Sequence, residues 1–135
     1  MTTLYSTTIS AVGEEAGDLL DQGVLILFAD GAPPELAEVS VLHAVAQEAT
    51  LPPTHGDALR IGEESFRITA VGDTAWQKVA EMGHVVFSFN GADSAERPGE
   101  ICIEPVPADR LRALLLPGAT LAVIGRHEIH PNPGG

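Results

Sequence analysis

The chain has a single cysteine, Cys102, so no disulfide can form within it. That scarcity fits a reducing compartment. Basic residues are also few: 7 Lys and Arg stand against 19 Asp and Glu, giving a formal charge of -12. Such a surface repels phosphate backbones and argues against nucleic-acid binding. It would draw a basic protein patch and speed that encounter, although solubility alone also accounts for an acidic surface. No apolar run approaches the ~20 residues of a membrane helix. The longest is VLILFA, residues 24–29. Residues 1–20 show neither a basic start nor a compact apolar stretch, so no signal peptide is expected. The chain reads as a cytoplasmic protein with no membrane insertion. Common catalytic signatures are missing as well: there is no Walker loop, GxGxxG fingerprint, HExxH or GxSxG elbow.

What remains is a chain of 135 residues, 44% of them hydrophobic. That length suits one domain, able to bury roughly two-thirds of its unfolded surface. Residues 1–125 are expected to form it, with 126–135 as a frayed tail. Short β-rich segments recur between turn signals: LYSTTISAV (4–12), VLILFA (24–29), VSVLHAVA (39–46), ALRI (58–61), FRITAVG (66–72), HVVFSFN (84–90), EICIEPV (100–106) and ATLAVIG (119–125). EEAGDLLDQG (14–23) reads as a loop or one weak helical turn, and ELAE (35–38) as a single turn started by Pro34. AWQKVAEM (75–82) reads as a short helix capped by Asp73 or Thr74 and stopped by Gly83, with Trp76, Val79 and Ala80 buried. ADRLRALLL (108–116) suits another through Leu111, Leu114 and Leu115. NGADSAERPG (90–99) reads as a surface loop. The expected fold is mainly β: a small, mostly antiparallel, barrel-like domain of six to eight strands with one or two short helices.

Of the five histidines, His43, His55, His84, His127 and His130, only the last two have a zinc-like spacing, and they lie in the tail. Cys102 shares a strand face with Glu100 and Glu104, whose charges would raise its pKa, so it is expected to be passive. Alternation puts His43 on one strand face with Val39, Val41 and Val45. A polar ring among valines needs a partner. It is either a hydrogen-bonded core residue or a nucleophile, since neutral imidazole can form a covalent intermediate near pH 7. His84 follows Gly83 and is either a strand-edge residue or a polar neighbour that steadies an anion near His43. A metal-dependent hydrolase on His43, His55 and His84, and a non-catalytic barrel that binds a small ligand or a protein partner, are the alternatives from other classes.

The stretches YSTTI, LILFADGAPPELAEVSVLH, FRITAVGDTA, MGHVVFSFNG, RPGEICIEPVP and PGATLAV occur in this order over about residues 4–124. In this the chain resembles the glucitol/sorbitol-specific enzyme IIA component of the bacterial phosphoenolpyruvate-dependent sugar phosphotransferase system. The resemblance implies a small β-barrel-like domain that takes a phosphoryl group from the phosphohistidine of HPr and passes it to the IIB part of a membrane transporter. No cofactor is implied. It further implies that His43, at the end of GAPPELAEVSVLH, is the phosphorylated residue, with His84, in GHVVFSFNG, as a polar neighbour. Some relatives carry a second histidine two residues after the reactive one; here that position is Val45. RLRALLL is longer than its counterpart, and the segment after Gly125 has no match.

Overall fold

Eight strands close into one barrel, and their order is set by two connections that the sequence pattern does not reveal. The computed structural model describes residues 2–126. The strands are β1 (Thr2–Val12), β2 (Val24–Ala29), β3 (Val41–Gln47), β4 (Ala58–Ile61), β5 (Glu64–Val71), β6 (Val85–Ser88), β7 (Glu100–Ile103) and β8 (Thr120–Gly125). Around the barrel they run β1-β3-β2-β6-β7-β5-β4-β8. Neighbours are antiparallel except β2 with β3 and β6 with β7. Parallel neighbours need a crossover. Residues 30–40 supply one. Residues 89–99 supply the other, so the segment read as a plain surface loop also sets the direction of β7. The mostly antiparallel barrel expected from the sequence is the fold observed.

Among the described residues there are four helices, not one or two: α1 (Ala16–Asp21), α2 (Pro34–Ala37), α3 (Ala75–Met82) and α4 (Ala108–Leu114). α1 forms where the sequence suggests a loop or weak turn. Ala16 and Leu20, one helical turn apart, are both buried, and α1 packs on β2 and α4. Tertiary burial stabilises a segment too short to be helical alone. Arg112 of α4 fastens it by bonding the Gly17 carbonyl at 3.0 Å and pairing with Asp21. On α3, Ala75 and Val79 are buried and Trp76 is half-buried, whereas Ala80 is exposed, contrary to the expected stripe. Thr74 occupies the N-cap position without a side-chain capping bond, and Gly83 ends α3 in the left-handed region.

The strand around His43 begins later than expected. The amides of Val39 and Ser40 return to the carbonyls of Leu36 and Ala37, at 3.3 and 3.4 Å, which keeps both residues in a turn after α2. From Val41 the strand alternates. Val41 and His43 point into the barrel at 0% and 1% exposure, but Val45 is 42% exposed because residues 44–47 all lie open to solvent. The apolar setting of His43 therefore comes from Val41 and from other strands, not from Val45. The tail from His127 onward lies outside the described residues.

Candidate active site

β1 and β3 place the first half of the site. Their antiparallel register sets Ile9 opposite His43 and Thr7 opposite Val45, so Thr7 is a diagonal neighbour of the ring, within cross-strand reach. Thr7 is fully buried between inward-facing Tyr5 and Ile9. Its Oγ1 lies 2.6 Å from His43 Nδ1 and 2.8 Å from the Ala44 carbonyl. α3 places the second half. The Gly83 amide closes the helix on Val79 at 3.0 Å. The left-handed turn at Gly83, φ 61°, then frees its own carbonyl to meet His43 Nε2 at 2.6 Å. No side chain fits there: a Cβ on Gly83 would stand 2.9 Å from the Ala29 Cβ and 3.2 Å from His43 Cε1.

Apolar groups close round the ring. Tyr5 meets it edge-on at 6.3 Å between centroids, and Trp76 meets Tyr5 likewise at 6.1 Å. Leu27, Val85 and Phe87 complete a space with no room for a water molecule. Burial pushes the His43 pKa below the ordinary histidine value, partly offset by the Gly83 carbonyl and the Asp30 carboxylate. The ring is therefore neutral near pH 7, with a lone pair on one nitrogen. Burial also pushes the Tyr5 phenol up to about 12. It stays protonated and buried, and its hydroxyl makes no hydrogen bond among the described residues. On the far side of Tyr5, Val79 and Gly83 lies a surface groove of about 480 Å³, lined also by Val45, Glu48, Glu81 and Met82. Gly83, with Tyr5 and Val79, thus forms the partition between His43 and open surface.

His84 follows Gly83 directly, but its ring turns the other way. Its Nδ1 donates to the Leu27 carbonyl at 3.0 Å, and the ring packs on Phe28 at 4.9 Å between centroids. Phe28 alternates with the inward residues Leu25 and Leu27, so His84 lies on the outer side of the wall that His43 faces from within. His55 lines a different groove with Asp73, Asp93 and Glu96. The three histidines do not converge, and no group of three metal-ligating side chains occurs among the described residues. Cys102 is fully buried, and burial, then the Glu100 charge, pushes its thiol up to about 11. It is passive, as its strand position implies. Sequence reading missed Thr7, Tyr5 and Gly83. One signal was available: a hydroxyl between Tyr5 and Ile9 on a buried strand face.

The family model for the PTS system glucitol/sorbitol-specific IIA component matches residues 4–113, a span that holds Thr7, His43 and Gly83. PTS system glucitol/sorbitol-specific EIIA components from Shigella flexneri and from Escherichia coli K12 are each 37% identical over 123 residues, covering 90% of this chain and 94% of theirs. The crystal structure of a PTS system IIA component from Enterococcus faecalis V583 shares the fold. Its TM-score is 0.73 at 22% identity, over 88% of this chain and 98% of that one. No helix among the described residues is long and apolar enough to cross a membrane. The chain belongs to the glucitol/sorbitol-specific IIA component family of the phosphoenolpyruvate-dependent sugar phosphotransferase system.

Proposed function

We propose that this protein relays a phosphoryl group through a covalent phosphohistidine at His43, taking it from the phosphohistidine of HPr and giving it to the IIB part of a glucitol/sorbitol transporter. The observation that carries the choice of residue is the setting of His43. Its ring is kept neutral by burial, and its Nε2 faces the carbonyl of Gly83, a residue that also lines a surface groove. Neutral imidazole is the nucleophilic form. Phosphoryl transfer needs mainly position and charge stabilisation. The dry, apolar packing on the inner side of the ring keeps water from that face of His43.

The groove suits a protein donor. Val45 and Met82 at its edge are 42% and 47% exposed, and Glu48 and Glu81 add acidic charge. A partner with basic residues round its own phosphohistidine would dock there, held by apolar contact and steered by charge. HPr and IIB must use the groove in turn, because both must reach the same nitrogen. The unbonded Tyr5 hydroxyl is a ready donor to a phosphoryl oxygen. His84 is the second polar group of this proposal, a neighbour next in the chain to Gly83, whose ring lies on the outer side of the wall with Nδ1 donating to the Leu27 carbonyl. His84→Gln should slow transfer without abolishing labelling; an unchanged rate removes it from the site.

The test is a labelled relay with enzyme I, HPr and radiolabelled phosphoenolpyruvate. Acid-labile, alkali-stable label on the wild type, lost in His43→Ala, supports the reading. Label that survives in His43→Ala moves the site elsewhere. The 1% exposure of His43 also favours a second reading, a non-catalytic barrel that binds a small ligand or a protein partner. A wild type that takes no label from its cognate phosphorylated HPr would select it.

A further inference from the structure

Counting protons at the site assigns a role to Thr7. Three polar contacts meet there: Nε2 to the Gly83 carbonyl, Nδ1 to Thr7 Oγ1, and Thr7 Oγ1 to the Ala44 carbonyl. The two carbonyls only accept. A neutral ring brings one N–H and Thr7 brings one O–H, so two protons must serve three contacts. Two arrangements satisfy two contacts each. In the first, Nε2–H donates to Gly83 and the Thr7 hydroxyl donates to Nδ1, leaving Ala44 without the hydroxyl. In the second, Nδ1–H donates to Thr7 and Thr7 donates to Ala44, leaving the Nε2 lone pair facing the Gly83 oxygen. Only a doubly protonated ring satisfies all three.

The second arrangement is the reactive one. Its lone pair is on Nε2, the nitrogen that faces Gly83, a residue that also lines the groove, whereas Nδ1 lies against fully buried Thr7. Lone-pair repulsion between Nε2 and the Gly83 oxygen would loosen the partition at Gly83 in the same state that needs it open. We propose that Thr7 is the positioning residue for this site: anchored on the Ala44 carbonyl, its hydroxyl accepts Nδ1–H, keeps the nucleophilic lone pair on Nε2, and holds the imidazolium that phosphorylation of Nε2 leaves behind. The transfer step itself rests on the relay reading.

That step balances. The Nε2 lone pair forms the new bond to phosphorus. The bond from phosphorus to the donor ring breaks, and its electron pair stays on the donor nitrogen. The donor is a ring-protonated N-phosphoimidazole and leaves as neutral imidazole. His43 becomes an N-phosphoimidazolium with its Nδ1–H on Thr7. Thr7 is not consumed, and no proton need cross between the rings.

The experiment uses the full chain, ¹⁵N-labelled, as wild type, Thr7→Val and Thr7→Ser. Ring ¹⁵N shifts of unphosphorylated His43 report the tautomer without any phosphoryl transfer. The wild type and Thr7→Ser should show a mixture of both neutral tautomers. Thr7→Val, of similar shape but without the hydroxyl, should collapse to Nε2–H. Transfer from phosphorylated HPr should fall about 10- to 100-fold in Thr7→Val, the worth of one hydrogen bond to a charged ring, and recover in Thr7→Ser. In the phosphorylated wild type, coupling to ³¹P should appear at Nε2. The same tautomer mixture in all three proteins overturns the proposal, and so does a phosphorus on Nδ1, which needs no variant to fold. If the ring shifts change as expected but even the wild type takes no label, the relay reading fails while the tautomer control by Thr7 stands.

Discussion

Replacing Gly83 with alanine disturbs both the end of α3 and the floor of the site, and its cost can be worked out. Gly83 has φ 61°. An L-residue there costs about 1–2 kcal/mol. The new methyl would lie 2.9 Å from the Ala29 Cβ, 3.2 Å from His43 Cε1 and 3.4 Å from Nε2. Carbon atoms settle at about 3.5–4.0 Å, so a neighbour must move. Overfilling a packed interior adds about 1–3 kcal/mol. The expected total is about 2–5 kcal/mol, a large share of the ~5–15 kcal/mol by which domains are stable. Gly62 is the control, with φ 62° and nothing within 4 Å of its added Cβ. Gly62→Ala should cost the backbone part alone, about 1–2 kcal/mol. Urea unfolding of both variants, extrapolated linearly, should show a gap of about 1–3 kcal/mol between them. Repeating both in a His43→Ala background removes the two ring contacts and should narrow the gap. Equal losses for Gly62→Ala and Gly83→Ala would refute the close packing. A gap that His43→Ala leaves unchanged would place the clash on Ala29 instead.

Three further outcomes can be measured. The His43 pKa is lowered on folding, so its contribution to stability is full above the unfolded value of about 6.5 and is lost as pH falls through the lower folded value. His43→Gln should flatten the loss of urea midpoint between about pH 7 and pH 5; an identical slope in both proteins would contradict it. Burial would raise the Glu100 carboxyl, but bonds from the Ser88 hydroxyl and the backbone at Glu96 and Arg97 outweigh it and hold it low. Glu100→Gln should cost about 1.5–3 kcal/mol at pH 7, the range for hydrogen bonds to a charged group; since protonation removes the same advantage, the gap from wild type should shrink below the ordinary carboxyl pKa, and a constant gap would refute that cause. Cys102 should resist thiol reagents at pH 8 until the protein unfolds, because it is fully buried and its thiol is pushed up to about 11; fast labelling of native protein would disprove that burial.

The sequence by itself determined the strands, because period-two apolar patterns between Gly and Pro turns are local signals. It determined the stop at Gly83 for the same reason, and marked His43 by setting a polar ring in an apolar strand. It also carried the family, since GAPPELAEVSVLH, ITAVG and GHVVFSFNG are contiguous stretches. Tertiary structure decided the rest. The parallel pairings of β2 with β3 and β6 with β7 depend on where residues 30–40 and 89–99 return the chain, which no local pattern encodes. α1 depends on packing against β2 and on Arg112 arriving from α4. Alternation gave His43 and Val45 one face, but the barrel rim passes between them and leaves only His43 inside. The site was assembled the same way. Thr7 and Gly83 reach the ring from 36 and 40 residues away, and only barrel closure could bring a strand hydroxyl and a helix-ending carbonyl to its two nitrogens.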